Sequence, residues 1–177
     1  GNIGYPFANL IQKNNSADSW AVVEVSSFQA EFMKYFRADS IVWSNFSEDH
    51  LDRYGNMKDY FQAKTQLLSV AKARTVFIGQ EVDYQYRELG LPVPEGTYVL
   101  DRSFIRVPEG SIFSLKPQRE NFKFAALLFR SWGYDPEMLH DSVRSFNQSP
   151  HRLAPVATIN GVEFWNDSKA TNFSSAE

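Results

Sequence analysis

Apolar positions along the chain switch repeatedly between a period near two and a period near 3.6, and those switches mark the elements. "YPFANLIQKN" (5–14) places Phe7, Leu10 and Ile11 at helical spacing, with Pro6 suited to a first turn. "WAVVEVSS" (20–27) is a β-branched run that reads as a buried strand. "SFQAEFMKYF" reads as a short helix or turn, and "ADSIVWSNF" as a second buried strand. "KDYFQAKTQLLSVAKA" carries Tyr60, Leu67, Leu68 and Ala71 near one helical face, and "RTVFIGQ" is a third short strand. This alternation predicts an α/β fold with a mostly parallel sheet flanked by helices.

The pattern breaks between Glu81 and Pro117, where "TYVL", "SFIRV" and "SIFSLK" are short extended pieces punctuated by Pro and Gly. They predict an irregular β excursion. Helical spacing returns in "RENFKFAALLFRSWG" and in "DPEMLHDSVRSFN", the second opening with Asp135 as N-cap and Pro136 at the first helical position. In "APVATINGVEFWND", Asn160-Gly161 between two apolar runs predicts a C-terminal β-hairpin.

Composition narrows the function classes. A chain of 177 residues that is 43% hydrophobic, with 15 Phe and 4 Trp, can build a real core. A net charge of -3 gives no basic footprint, which argues against nucleic acid. Without Cys there is neither a disulfide framework nor a thiolate site. The longest apolar run, Phe124 to Phe129, falls far short of the roughly 18 residues of a membrane span, and no signal peptide is visible. A cytoplasmic location is expected.

Several polar groups fall at predicted strand ends, where open α/β sheets bind ligands. Glu24 interrupts an apolar run, so it is either a paired structural carboxylate or a ligand. His50 lies among Glu48, Asp49 and Asp52, a set that suits Mg2+ or Mn2+ or an ordinary solvated loop. Lys64, on the helix that follows, is a snorkelling surface residue on the plain reading. "GNIG" at the amino end can nest an anion or simply turn. His151 and Arg152 precede a strand, and Arg suits a phosphate or an adenine ring. His140, within a predicted helix, is taken as structural. "NDSKATN" (166–172) ends the last strand with more polar residues than a turn needs.

Taken in order, "GNIGYP", "EVSSFQAE", "NFSEDHLDRYG", "FQAK", "SPHR" and "NDSKATN" resemble the central domain of the muramyl-peptide ligases. "SSFQ" and "NDSKATN" resemble the branch that adds D-glutamate. The resemblance implies a P-loop-NTPase-like ligase domain in peptidoglycan synthesis. It implies ATP with Mg2+ or Mn2+, UDP-N-acetylmuramoyl-L-alanine and D-glutamate as substrates, and an acyl phosphate between them. By position it implies Asn2, Ser26 and Gln29 on the muramoyl nucleotide, and Glu24 and His50 at the cations. Lys64 would be a carbamate that acts as an anionic oxygen ligand. Asn121, His151, Arg152 and Asp167 would lie along ATP, and Ser168, Lys169 and Thr171 at D-glutamate.

Two departures accompany it. The resembled adenine-side helix carries a second Asn where this chain has Phe124. A phosphate loop ending in Gly-Lys-Ser/Thr is expected ahead of "GNIG". Residues 1–172 are therefore expected to be a partial central ATP-binding domain, and 173–177 the start of a linker or C-terminal domain. Such a fragment, without its companion domains, is expected to be inactive alone and to leave a sheet edge open. The rival readings are a sibling ligase with another amino-acid substrate and a non-catalytic paralogue acting as a binding module.

Overall fold

A computed structural model describes residues 6, 8–9, 16, 19–71, 73–101 and 105–170. Three strands, β1 (Ser40–Trp43), β2 (Thr75–Ile78) and β3 (Thr97–Val99), form a sheet of order β1-β2-β3 with both pairings parallel. The pairing sets Ile41 beside Val76 and Phe77 beside Tyr98. Period-two alternation along β2 then divides the core between two faces. Val76 and Ile78 pack with Ile41 against Tyr60, Phe61, Leu68 and Ala71 of α3 (Met57–Ala71) and against Val82 and Tyr86 of α4 (Gln80–Glu88). Phe77 faces the opposite way, with Leu100, onto Phe124 of α5 (Gln118–Ser131). The result is an α/β/α layering. No described helix is long and apolar enough to cross a membrane.

Two short helices, α1 (Ser27–Phe32) and α2 (Leu51–Tyr54), lie before α3 in the chain. On the far side of α5, Phe122 and Ala126 pack with Phe113 of a 3-10 turn and with Leu139 and Val143 of α6 (Leu139–Ser145). Asp135 caps as expected, accepting from the Glu137 N–H at 3.0 Å, and the first turn after it is 3-10. β4 (Ala154–Ile159) and β5 (Val162–Asn166) form the antiparallel hairpin. Positive φ at both Asn160 (52°) and Gly161 (79°) identifies the mirror-image turn that suits strand twist.

Two expectations need correction. Residues 20–26 form no strand; Val22 is 97% exposed and Glu24 is exposed, because no described residue offers this run a ladder partner. Trp20 nonetheless leans on the molecule, its ring tilted 38° to that of Trp132 with centroids 4.2 Å apart, and the Trp132 indole N–H donates to Ser40 Oγ. The 81–117 stretch is not one β excursion. It opens with α4, whose helical signal rests on two buried residues one turn apart, Val82 and Tyr86, in an otherwise polar run. "TYVL" contributes β3, a parallel member of the main sheet, whereas "SIFSLK" winds into the 3-10 turn (Ile112–Ser114). The expected first helix at 5–14 lies largely outside the described residues.

β2 passes into α4 through Gly79, and here the backbone itself is crowded. A Cβ at Gly79 would stand 1.9 Å from the carbonyl oxygen of Ser44, just beyond β1. Neither atom is the tip of a flexible side chain, so relief requires the strands to move apart. Gly79→Ala is expected to cost about 2–3 kcal/mol, read as a lower urea midpoint with unchanged slope.

Candidate functional site

Past Trp43 the chain leaves the carboxyl end of β1 and reaches His50, the residue before α2. His50 is left-handed (φ 52°, ψ 27°), and its own N–H donates to Asp49 Oδ1 at 2.9 Å. Its Nδ1 lies 3.5 Å from the same oxygen. The imidazole sits between Phe28 of α1, 4.9 Å away, and the edge-on ring of Tyr60, 5.9 Å away. Tyr54 closes the cluster against Phe28 and Tyr60. Arg53 lies over the Phe28 ring and donates to Glu31 at 2.7 Å. That hydrogen bond, more than any other influence, holds the Glu31 carboxyl below its usual range.

Lys64 stands one helical turn beyond Tyr60, with Nζ 5.0 Å from that ring's centre. Burial pushes its ammonium pKa below the ordinary value, while the charge of Asp49 pulls the other way. Burial, helped by Asp49 and Tyr54, raises the Tyr60 phenol to about 12, so it stays protonated as a neutral wall. The structure thus brings His50, Asp49 and Lys64 into one aromatic-lined neighbourhood. Asp49 was expected only as one of the acids around His50, and Tyr60 and Phe28 were not expected as site residues. The spacing Tyr60 to Lys64, i to i+4 on one helix face, is the signal that could have found the ring.

Ser26 and Gln29 are turned toward each other. Ser26 is the N-cap of α1; its N–H donates to Gln29 Oε1 at 2.9 Å, and its hydroxyl lies 3.2 Å from the same oxygen. The Gln29 N–H donates back to Ser26 Oγ at 3.3 Å. "SSFQ" is therefore a capping box. Glu24 is exposed and carries no described hydrogen bond or ion pair. Among the described residues no three His, Asp or Glu side chains stand together at metal-holding spacing.

Asn121 is exposed on the first turn of α5 and donates to Gln118 Oε1. Its neighbour Glu120 helps line a small groove of about 20 Å3 at the strand ends, with Ser44, Gly79, Glu81, Leu100 and Lys123. Phe124 does not face that groove; it is 3% exposed within the Phe77–Leu100 core cluster. A roomier cleft of about 370 Å3 lies elsewhere, between Arg106–Glu109 and Glu137 with His140.

The remaining candidates meet at the base of the hairpin. Asp167 Oδ1 accepts from the Leu153 N–H at 3.1 Å, and the Lys169 N–H donates to the His151 carbonyl at 3.0 Å. Asn166 Oδ1 accepts from the Ser168 N–H, which turns its amide nitrogen to His151 Nδ1 at 3.1 Å. Nδ1 must then accept, leaving the ring proton on Nε2. His151, Arg152, Ser168 and Lys169 are all exposed around this stitched loop pair. Asn2 and Thr171 lie outside the described residues. Because Leu153 is itself left-handed (φ 43°), Asp167 holds a strained turn. Asp167→Ala is expected to cost about 1–2 kcal/mol and to speed amide exchange at Leu153 about tenfold or more.

The description Mur ligase middle domain matches residues 3–90. A UDP-N-acetylmuramoylalanine–D-glutamate ligase from Synechocystis sp. is 33% identical, over all of the chain and 44% of its own length. Proteins of the same name from Koribacter versatilis and Acidobacterium capsulatum are 32% and 33% identical, over 97% and 99% of the chain and 43% of their own lengths. The chain spans less than half the length of these curated relatives.

Proposed function

The chain belongs to the Mur ligase family, and on that premise we propose that it serves an ATP-dependent ligase that adds D-glutamate to UDP-N-acetylmuramoyl-L-alanine in peptidoglycan synthesis. In this reading residues 1–172 are part of the central ATP-binding domain, and 173–177 begin a linker or the next domain. The observation that carries it is Lys64: a lysine whose ammonium is disfavoured by burial, set against Tyr60 and beside Asp49 and His50. An amine must be neutral to add CO2, and burial favours the neutral form. Lys64 therefore fits a carbamate.

ATP, when bound, supplies the γ-phosphoryl group that activates the muramoyl carboxylate as an acyl phosphate. Around it, the chain's own residues bind and orient. Ser26 and Gln29, with Asn2, hold the muramoyl substrate. Asn121, His151, Arg152 and Asp167 lie along the nucleotide, with Asp167 Oδ2 left over from its bond to Leu153. Ser168, Lys169 and Thr171 meet D-glutamate, where the Lys169 ammonium pairs with a carboxylate. Fixing both reactants in line accounts for a large part of such catalysis.

Mg2+ or Mn2+ would share Glu24, His50 and carbamylated Lys64. With Glu24 exposed and no three acidic or imidazole side chains gathered, the described set does not by itself fit a divalent cation.

The deciding experiment uses the full-length protein and measures ADP release dependent on both UDP-N-acetylmuramoyl-L-alanine and D-glutamate. Incorporation of meso-diaminopimelate or L-lysine instead points to a sibling ligase and overturns the D-glutamate assignment. A second reading, a non-catalytic paralogue, draws on Phe124, which fills the core where the resembled helix offers an amide to adenine. Absence of magnesium-dependent ATP binding would decide for it.

A further inference from the structure

α2 is a single turn of four residues, too short to be stable by itself. His50, the residue before it, is left-handed and makes no side-chain cap. Where the imidazole points therefore depends on what grips α2 from outside. Two pairs spaced i, i+3 face each other there. Phe28 and Glu31 share one face of α1, and Arg53 stands one turn after His50, whose carbonyl accepts from the Arg53 N–H at 3.0 Å. Arg53 Nη2 lies 2.7 Å from Glu31 Oε2 across 22 residues of chain. The Arg53 guanidinium carbon and the His50 ring centre each lie 4.9 Å from the centre of the Phe28 ring. A planar guanidinium can donate to a carboxylate and lie on an aromatic face at once.

Stability alone does not account for this pair. The Arg53 and Glu31 side chains are 44% and 22% exposed, and ion pairs so open to water contribute little to folding. Arg87 and Asp83 of α4 form a comparable pair at 2.8 Å, and neither has a described bond or ring contact to His50, Phe28 or Lys64.

We infer that Arg53 and Glu31 are positioning residues: their ion pair clamps α2 onto Phe28 of α1 and so fixes the His50 imidazole in the candidate site. The clamp stands on geometry alone, and its catalytic consequence rests on the ligase reading above. Neither residue was expected at the site. Both act through Phe28 and His50.

The full-length protein carries the test. Arg53→Ala and Glu31→Ala are each expected to lower kcat for D-glutamate-dependent ADP release about tenfold, as a slightly misplaced site group does. KM for both substrates should stay near wild type, and Tm within about two degrees of it. The double variant should lose no more than either single one, because two residues acting as a unit are not additive. Arg53→Lys should fall between, keeping the charge and losing the planar fork.

A second readout needs no substrate. The proton on His50 Cε1 is shifted by the aromatic rings around it. With histidine labelled by 13C at Cε1, and His50→Gln identifying the resonance, Arg53→Ala and Glu31→Ala should move it toward the position of an unstructured histidine. Arg87→Ala should leave both this resonance and kcat unchanged. An unmoved His50 resonance overturns the clamp, as does wild-type kcat in both single variants. A roughly hundredfold loss in the double variant overturns the pairing. A Tm loss of several degrees in the single variants makes the pair structural and overturns the positioning role. A wild-type protein that releases no ADP with D-glutamate sinks the ligase reading and the catalytic half of this one, and the resonance still decides the clamp.

Discussion

Lys64→Met is expected to lower D-glutamate-dependent ADP release by about 10²–10³-fold, the scale of losing one placed electrostatic group, while the protein becomes more stable. Both effects have one origin. Burial disfavours the Lys64 ammonium, and methionine fills a similar volume with no charge to desolvate. The expected gain is on the order of 0.5–1 kcal/mol at neutral pH. The pH dependence follows from the direction of the shift. With its pKa lowered in the fold, Lys64 binds fewer protons there than in the unfolded chain, between the lowered value and roughly 10.4. Stability from this residue therefore rises with pH across that window, and Lys64→Met should flatten the rise. Lys64→Arg, which stays charged and cannot be carbamylated, should lose activity and stability together. In 13C-bicarbonate, a carbamate signal present in the wild type and absent in Lys64→Met would tie the site to its chemistry. Full activity in Lys64→Met would remove Lys64 from the mechanism.

Phe124→Asn carries the largest expected loss of stability. The substitution restores the amide of the resembled helix, yet it does so inside the Phe77–Leu100 cluster, where Phe124 is 3% exposed. Removing the ring costs about 3–5 kcal/mol, and a buried amide without partners adds to that. Urea unfolding should show it directly, with no tightening of ATP binding in the full-length protein. If ATP affinity instead rises and stability holds, position 124 faces the nucleotide and the packing assigned to it is wrong.

That example shows how far sequence reasoning reached. β1 and β2, helices α3 and α5 and the hairpin were legible because each carries an apolar run or periodic face or, at Asn160-Gly161, a turn only certain residues make, whereas β3 was read as an extended piece without its place in the sheet. α4 was missed because only Val82 and Tyr86 of its nine residues are buried, too few to show a period. "WAVVEVSS" has the composition of a strand, but a ladder needs a neighbour, and composition does not supply one. At the site, His50 stood out within its acidic set, and Lys64 came forward only through the resemblance to the muramyl-peptide ligases. The aromatic walls around them did not, since Phe28, Tyr54 and Tyr60 look like ordinary core residues until the helices are packed. Ser26 and Gln29 were legible as a Ser-x-x-Gln spacing, and the placed hydrogen bonds show that spacing at work as a capping box.

The left-handed backbone at His50 carries a design lesson. A side chain with a Cβ at φ 52° gives up stability that Gly would keep and that Asn would partly recover. A redesign guided by folding stability alone would replace His50 early and gain from it, as it would with Lys64. The two positions where thermodynamic optimisation and the proposed chemistry pull apart are neighbours, so a stabilised version of this domain should be built with both held constant.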